Sequence, residues 1–147
     1  MSADRLLVGH DGSPRARDVL RAAVALARRL GARIWLFRAA GIPVELPREL
    51  YGLSPDELTT RLLAQTQAAL DEAAREIPPD LLGGVRAAMG PPWQAICQAG
   101  KDVGAGCIII GSHGYGAVDR LIGTTAAKVV NHADRSVLVI RHGDLLL

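Results

Sequence analysis

The stretch Ile108-Ile109-Ile110-Gly111-Ser112-His113-Gly114, followed by Gly123-Thr124-Thr125, decides how the chain is read. A short unbroken apolar run is a strand covered on both faces. This one ends on a glycine turn, and Gly-Thr-Thr returns within a second periodic segment. Glycine has no Cβ, so its backbone can approach an anion closely. A helix starting beside such a turn offers unpaired N–H groups and the positive end of its dipole. Strand, glycine turn and helix start together are the chemistry of a phosphate cradle.

Outward from that stretch the same alternation continues. Leu6-Leu7-Val8 is a second buried-strand run, and it ends at His10-Asp11-Gly12-Ser13-Pro14. Ser13 is the expected N-cap and Pro14 the first helical residue. Val19, Leu20, Ala23, Val24, Ala27 and Leu30 keep helical spacing until Gly31. Ile34 to Ala39 reads as the next strand. Residues 41–54 mix Pro and Gly with Leu46, Leu50 and Tyr51, as a lid or a plain surface loop would. Ser54-Pro55-Asp56-Glu57 starts a helix running to about Glu76. Val85 to Ala88 is a weaker strand, and Gly90-Pro91-Pro92-Trp93 turns into a helix through Lys101. Cys107 to Ile110 is the fourth strand. Val118, Leu121, Ile122, Thr125, Ala126, Val129 and Val130 mark a long last helix, and Val137 to Ile140 the fifth strand. Strict alternation of strand and helix predicts one α/β domain with a parallel sheet and right-handed crossovers. Ligands in such sheets sit at the carboxyl ends of the strands, where the winding reverses. If the first and fourth strands are neighbours, Asp11 and the Gly111 turn face one crevice.

Composition narrows the function. The chain has 147 residues, enough for one domain spanning 1–147 with a good core. Hydrophobic residues make up 49% but aromatics only 3%, so Ala, Leu, Val and Ile build that core. A formal net charge of +2 is too balanced to demand nucleic acid or an anionic membrane as partner. No apolar run approaches the length of a membrane helix, and no signal-peptide core precedes the first strand. A cytoplasmic protein is expected. Cys97 and Cys107 sit in apolar segments, without metal-ligand spacing.

Few residues could carry chemistry. The Asp11 carboxylate could meet a ribose hydroxyl or a hydrated divalent cation; equally it could form an Asx-turn with Gly12-Ser13. His10 beside it is more often a packed residue than a catalyst. Gly111 and Gly114 would open the cradle, and Gly123 and Thr124 would bring N–H groups and a hydroxyl to phosphates. Ser112 and His113 could line its mouth. Arg120 and Lys128 either screen phosphate or form a solvated face, and His132 and His142 look peripheral. There is no G-x-x-x-x-G-K-[ST], and no G-x-G-x-x-G follows the first strand. The first absence excludes a P-loop NTPase, and the second argues against a dinucleotide dehydrogenase. No nucleophile is paired with a base.

These motifs resemble the universal stress protein family. The residues that carry the resemblance are Leu6 to Ser13, the Gly90 to Trp93 turn, and Ile108 to Arg141, with the ending Val129 to Arg141. The resemblance implies a Rossmann-like five-stranded parallel sheet with helices on both faces. Its ATP-binding branch carries G-x2-G-x9-G-[ST]. By resemblance the nucleotide-binding set is Gly9, His10, Asp11, Ala39, Ile110, Gly111, Gly114, Gly123, Thr124 and Thr125. Asp11 takes the ribose or metal side, meeting Mg²⁺ through Mg-ATP. Ala39 offers backbone to adenine, and Ile110 packs near the base or ribose. ATP with Mg²⁺ is the implied cofactor, and a homodimer through Val137 to Ile140 the implied assembly. An apolar edge strand needs such cover. The chain departs from the pattern twice. Only eight residues, Tyr115 to Ile122, separate Gly114 from Gly123, and His10 stands where a small or apolar residue is usual. The expectation is an ATP-binding stress-response module, a switch or partner-binding protein with at most slow hydrolysis. Its rivals are a dimeric interaction protein without nucleotide and an enzyme acting on a nucleotide α-phosphate.

Overall fold

Side chains alternate across a strand, so a fully apolar strand feeds two cores at once. Leu6 and Val8 enter one core and Leu7 the other; Ile109 and Ile108 divide in the same way. All five are at most 1% exposed. Burying a side chain of this kind contributes roughly 1.5–3 kcal/mol. The computed structural model describes residues 1–112 and 121–141. Its strands are β1 (Ser2–Gly9), β2 (Arg33–Ala40), β3 (Leu82–Met89), β4 (Ala105–Gly111) and β5 (Ser136–Ile140). The helices are α1 (Ala16–Leu30), α2 (Pro55–Ala74), α3 (Pro92–Val103) and α4 (Thr124–His132). Among the described residues the strands form one parallel sheet in the order β3-β2-β1-β4-β5. The first core takes Val19, Leu20 and Ala23 of α1 with Leu70 and Ala74 of α2. The second takes Ile96 and Ala99 of α3 with Ala126 and Val129 of α4. The helices thus cover both faces, as expected of a Rossmann-like α/β domain.

Several boundaries differ from the expectation. Ser13 does not cap α1, which begins at Ala16 with Arg15 as N-cap and no side-chain cap bond. The reason is local: the Ser13 N–H donates to Asp11 Oδ1 at 2.9 Å, and the Ala16 N–H donates to the Ser13 carbonyl. A turn therefore precedes the helix. The last helix is shorter than its periodicity suggested. Leu121 and Ile122 precede it and are 68% and 41% exposed, while Gly123, extended at φ −62° and ψ 160°, is the N-cap. Val118 lies outside the described residues. By contrast α2 starts where expected, with a reciprocal capping box between Ser54 and Glu57. Residues 41–54 hold a single 3₁₀ turn at Arg48–Leu50 that buries Leu50.

Two side chains secure the sheet's ends. Gln67 of α2 accepts from the Ala87 N–H of edge strand β3 at 2.7 Å, doing for that edge what a neighbouring strand would. Arg135, in the turn before β5, is only 5% exposed in its side chain. Its Nη1 donates to the Gly100 and Ala105 carbonyls at 2.7 and 2.8 Å, joining α3's last turns to the start of β4. His132 stacks on Trp93 with ring centroids 4.5 Å apart, tying α4 to α3. Among the described residues no helix is long and apolar enough to cross a membrane. Arg135→Met keeps most of the packing but strands two carbonyls. It should lower unfolding stability by about 2–3 kcal/mol, read from urea titration. A loss within error would show that water replaces the guanidinium at no cost.

Candidate functional site

The sheet order places the site. The chain winds from β1 outward to β3, then returns to lay β4 against β1, with Val8 opposite Ile109. The helices after these two strands leave on opposite faces, so a gap opens above the strands' carboxyl ends. The gap is a cleft of about 530 Å³, within the range of small-molecule sites. Gly9, His10, Asp11 and Ser13 line it from β1 and its turn, and Phe37, Arg38 and Ala39 from the end of β2. Pro92 and Ile96 come from α3, Ile110, Gly111 and Ser112 from the end of β4, and Leu121 to Ala126 from the head of α4. Every described member of the expected set therefore lines one cleft: Gly9, His10, Asp11, Ala39, Ile110, Gly111, Gly123, Thr124 and Thr125. Gly114, His113, Arg120 and His142 lie outside the described residues.

The polar groups are arranged differently from the simple cradle. The Gly123 N–H donates to the Ser112 carbonyl at 2.7 Å, holding the two ends of the intervening segment together. That donor is spent internally. The donors facing the cleft are instead those of α4's first turn, Thr124, Thr125 and Ala126, which have no acceptor a helical turn back. The Thr124 and Thr125 side chains are exposed there. The Ser112 N–H is bound to the Ile140 carbonyl at 2.9 Å, and the His10 N–H to the Phe37 carbonyl at 2.8 Å. The floor is tight: a Cβ at Gly9 would come within 3.0 Å of Ile110 Cγ2.

At the β1 end the geometry displays the Asx-turn. Asp11 uses Oδ1 to accept from Ser13, while the residue as a whole stays exposed. Gly12 has φ +74°, a backbone conformation that L side chains rarely adopt. Its N–H donates to His10 Nδ1 at 3.2 Å, which leaves the imidazole proton on Nε2. The Arg38 guanidinium lies over Gly12, so a Cβ there would be 2.6 Å from one of its nitrogens. Arg38 escaped the sequence reading. Its signal was a charged residue in an otherwise apolar strand. Lys128 is exposed and does not line the cleft.

Catalytic groups are sparse. Burial pushes the Cys97 and Cys107 thiols up, which suits inert packing. Among the described residues no group of three or more His, Cys, Asp and Glu could hold a metal ion. His10 is half-buried, and burial first, then Arg38, lowers its pKa from 6.5, against the opposing pull of Asp11 and Glu76. The unfolded chain thus takes up a proton at a pH where the folded chain does not. This penalty is absent well above 6.5 and grows as pH falls from there through the lowered folded value. His10→Asn keeps an acceptor near Nδ1 and removes the titration. Between about pH 7.5 and pH 5.5 the wild type should lose stability relative to His10→Asn, measured by paired urea titrations. A difference that does not change with pH would place His10 in water.

Comparison with known proteins bears on this geometry. The model of the universal stress protein family matches residues 2–141. A Staphylococcus epidermidis relative assigned to the universal stress proteins is 27% identical over 143 residues, covering 96% of this chain and 86% of its own. A universal stress protein solved in complex with cAMP superposes with a TM-score of 0.67 at 21% identity, covering 97% of this chain and 99% of that one. The universal stress protein of Archaeoglobus fulgidus in complex with dAMP gives a TM-score of 0.53 at 19% identity, covering 95% and 98%. At such identities the structural likeness speaks for the fold alone. With the family model spanning nearly the whole chain and the sheet wound in the same way, the chain belongs to the universal stress protein family.

Proposed function

We propose that the cleft binds an adenine nucleotide, ATP with Mg²⁺, and that the protein acts as a nucleotide-dependent switch or partner-binding module. One observation carries the reading most: the first turn of α4, whose N–H groups have no acceptor within the helix, lines the cleft together with the end of β4, at the winding reversal. The fit can be judged from the residues present. Gly9 and Gly111 keep the floor free of side chains, and Ile110 and Ile96 supply apolar contact for a base or ribose. Thr124 and Thr125 add hydroxyls where phosphate oxygens would lie. Asp11 keeps one carboxylate oxygen for a ribose hydroxyl or for a Mg²⁺ held mainly by phosphates and water. Bound Mg²⁺ would neutralise phosphate charge. The relatives solved with cAMP and dAMP lend support, since both ligands are adenine nucleotides. Among the described residues no base is placed to orient water, so turnover should be slow or nil. The apolar edge strand β5 would pair with its copy in a homodimer, and a cytoplasmic location agrees with this reading.

The second reading, a dimeric interaction protein without nucleotide, draws on the Gly123 N–H being spent on Ser112. Calorimetric titration of the ligand-free protein with ATP·Mg²⁺ separates the two. Micromolar binding supports the first; absence of both heat and thermal stabilisation supports the second. Gly123→Val localises the cradle. Its φ of −62° and ψ of 160° suit any residue, so the variant should fold while its side chain crowds the phosphate path. Affinity for ATP should fall by at least about tenfold. Unchanged affinity would move the phosphates elsewhere.

A further inference from the structure

The cleft has two polar ends, and at the β1 end the proposed function uses Asp11 but neither Arg38 nor Ser13. We infer that Arg38 and Ser13 build a second anion subsite at the other end. The preferred ligand would then be an adenosine nucleotide phosphorylated both on its 5′ side and on its 2′ or 3′ ribose oxygen. This deepens the nucleotide reading and rests on it.

The first observation is the isolation of Arg38. It is half-buried at the end of a strand whose Ile34, Leu36, Phe37 and Ala40 are buried. Arg17 pairs with Glu76, Arg86 with Asp102, and Arg135 with Asp134 and two carbonyls, while Arg21, Arg48 and Arg61 are exposed to water. Among the described residues no hydrogen bond or ion pair reaches the Arg38 guanidinium. A half-desolvated cation without an ion pair among the described residues, in the wall of a cleft that also holds the exposed Asp11 carboxylate, can take an anion from outside. Gly12 makes room for it in this position, since a Cβ there would come 2.6 Å from a guanidinium nitrogen and displace the group.

The second observation is independent. Ser13 is 6% exposed and lines the same cleft, and its buried Oγ has no hydrogen-bond partner. It stands just before α1, at the helix end that favours negative charge. Buried hydroxyls rarely go unpaired, and such an exception calls for an acceptor. The third consideration is position. In dinucleotide-binding sheets of Rossmann type, whose glycine fingerprint this chain lacks, the end of the second strand lies beside the ribose. An acidic residue there takes a free 2′-hydroxyl, and an arginine accommodates a 2′-phosphate. Here the β2 end carries Arg38, whose planar fork matches phosphate oxygens in pairs.

A cycle of three ligands and two proteins tests the subsite. ADP and the adenosine 2′,5′- and 3′,5′-bisphosphates are titrated by calorimetry into wild type and Arg38→Met. ADP places both phosphates on the 5′ side, so it lacks the proposed contact. At least one bisphosphate should lose about tenfold or more in affinity on Arg38→Met, and ADP less than about threefold. Arg38→Lys should restore part of the loss, because lysine keeps the charge without the fork. Ser13→Ala should weaken the same bisphosphate selectively, and thermal midpoints check that each variant is folded. Equal losses for ADP and the bisphosphates, or no loss at all, would overturn the subsite while leaving nucleotide binding intact. Failure of all three ligands to bind wild type would overturn the nucleotide reading and this inference with it.

Discussion

The pairing of β1 with β4 is the constraint on which the molecule depends. Four of its residues, Leu6, Leu7, Ile108 and Ile109, lose essentially all contact with water, and they divide between the two cores. The strands approach so closely at their amino ends that a Cβ on Gly106 would fall 2.6 Å from the Ser2 carbonyl oxygen. Glycine at that position lets the pair close. Because β4 returns beside β1 rather than beyond β3, the two helices that follow diverge to opposite faces. The cleft is the space their divergence leaves, so the site follows directly from strand order.

Within that cleft the backbone does much of the polar work. The end of β1 is tied to β2, the end of β4 to β5, and Ser112 to Gly123, each by one main-chain hydrogen bond. These bonds consume donors that a simple glycine-loop picture would assign to a ligand. Among the described residues, donors without a helical acceptor remain in the first turn of α4, where the dipole favours the same charge. At the opposite end Asp11, Gly12, His10 and Arg38 interlock: carboxylate to Ser13, imidazole to Gly12, guanidinium over the glycine. His10 stays neutral near pH 7 because burial and Arg38 both disfavour its charge.

Membership of the family accounts for the architecture, and the departures lie at the site. A histidine follows Gly9, and eight residues separate Gly114 from Gly123. The histidine alters which groups face a ligand without disturbing the two cores, because it falls just past the buried stretch of β1. One fold can therefore host different ligand preferences at the same crevice.

By itself, the sequence determined the strands and helices, the sheet's parallel character and the rim of the cleft. Runs such as Leu6-Leu7-Val8 and Ile108-Ile109-Ile110 can satisfy their side chains only inside a sheet covered on both faces. Ser54 with Glu57 announced α2 through local hydrogen bonds that need no distant partner. What escaped was set by contacts between remote segments. Ser13 looked like a cap until Asp11 took its N–H, and Leu121 and Ile122 looked helical until Gly123 was fixed to Ser112. Arg38 carried no motif. Its meaning appeared only when β2 was laid beside β1, bringing the guanidinium over Gly12 in the wall of the cleft. Periodicity reports which side of an element is buried, whereas the destination of each hydrogen bond is decided by which strand ends become neighbours.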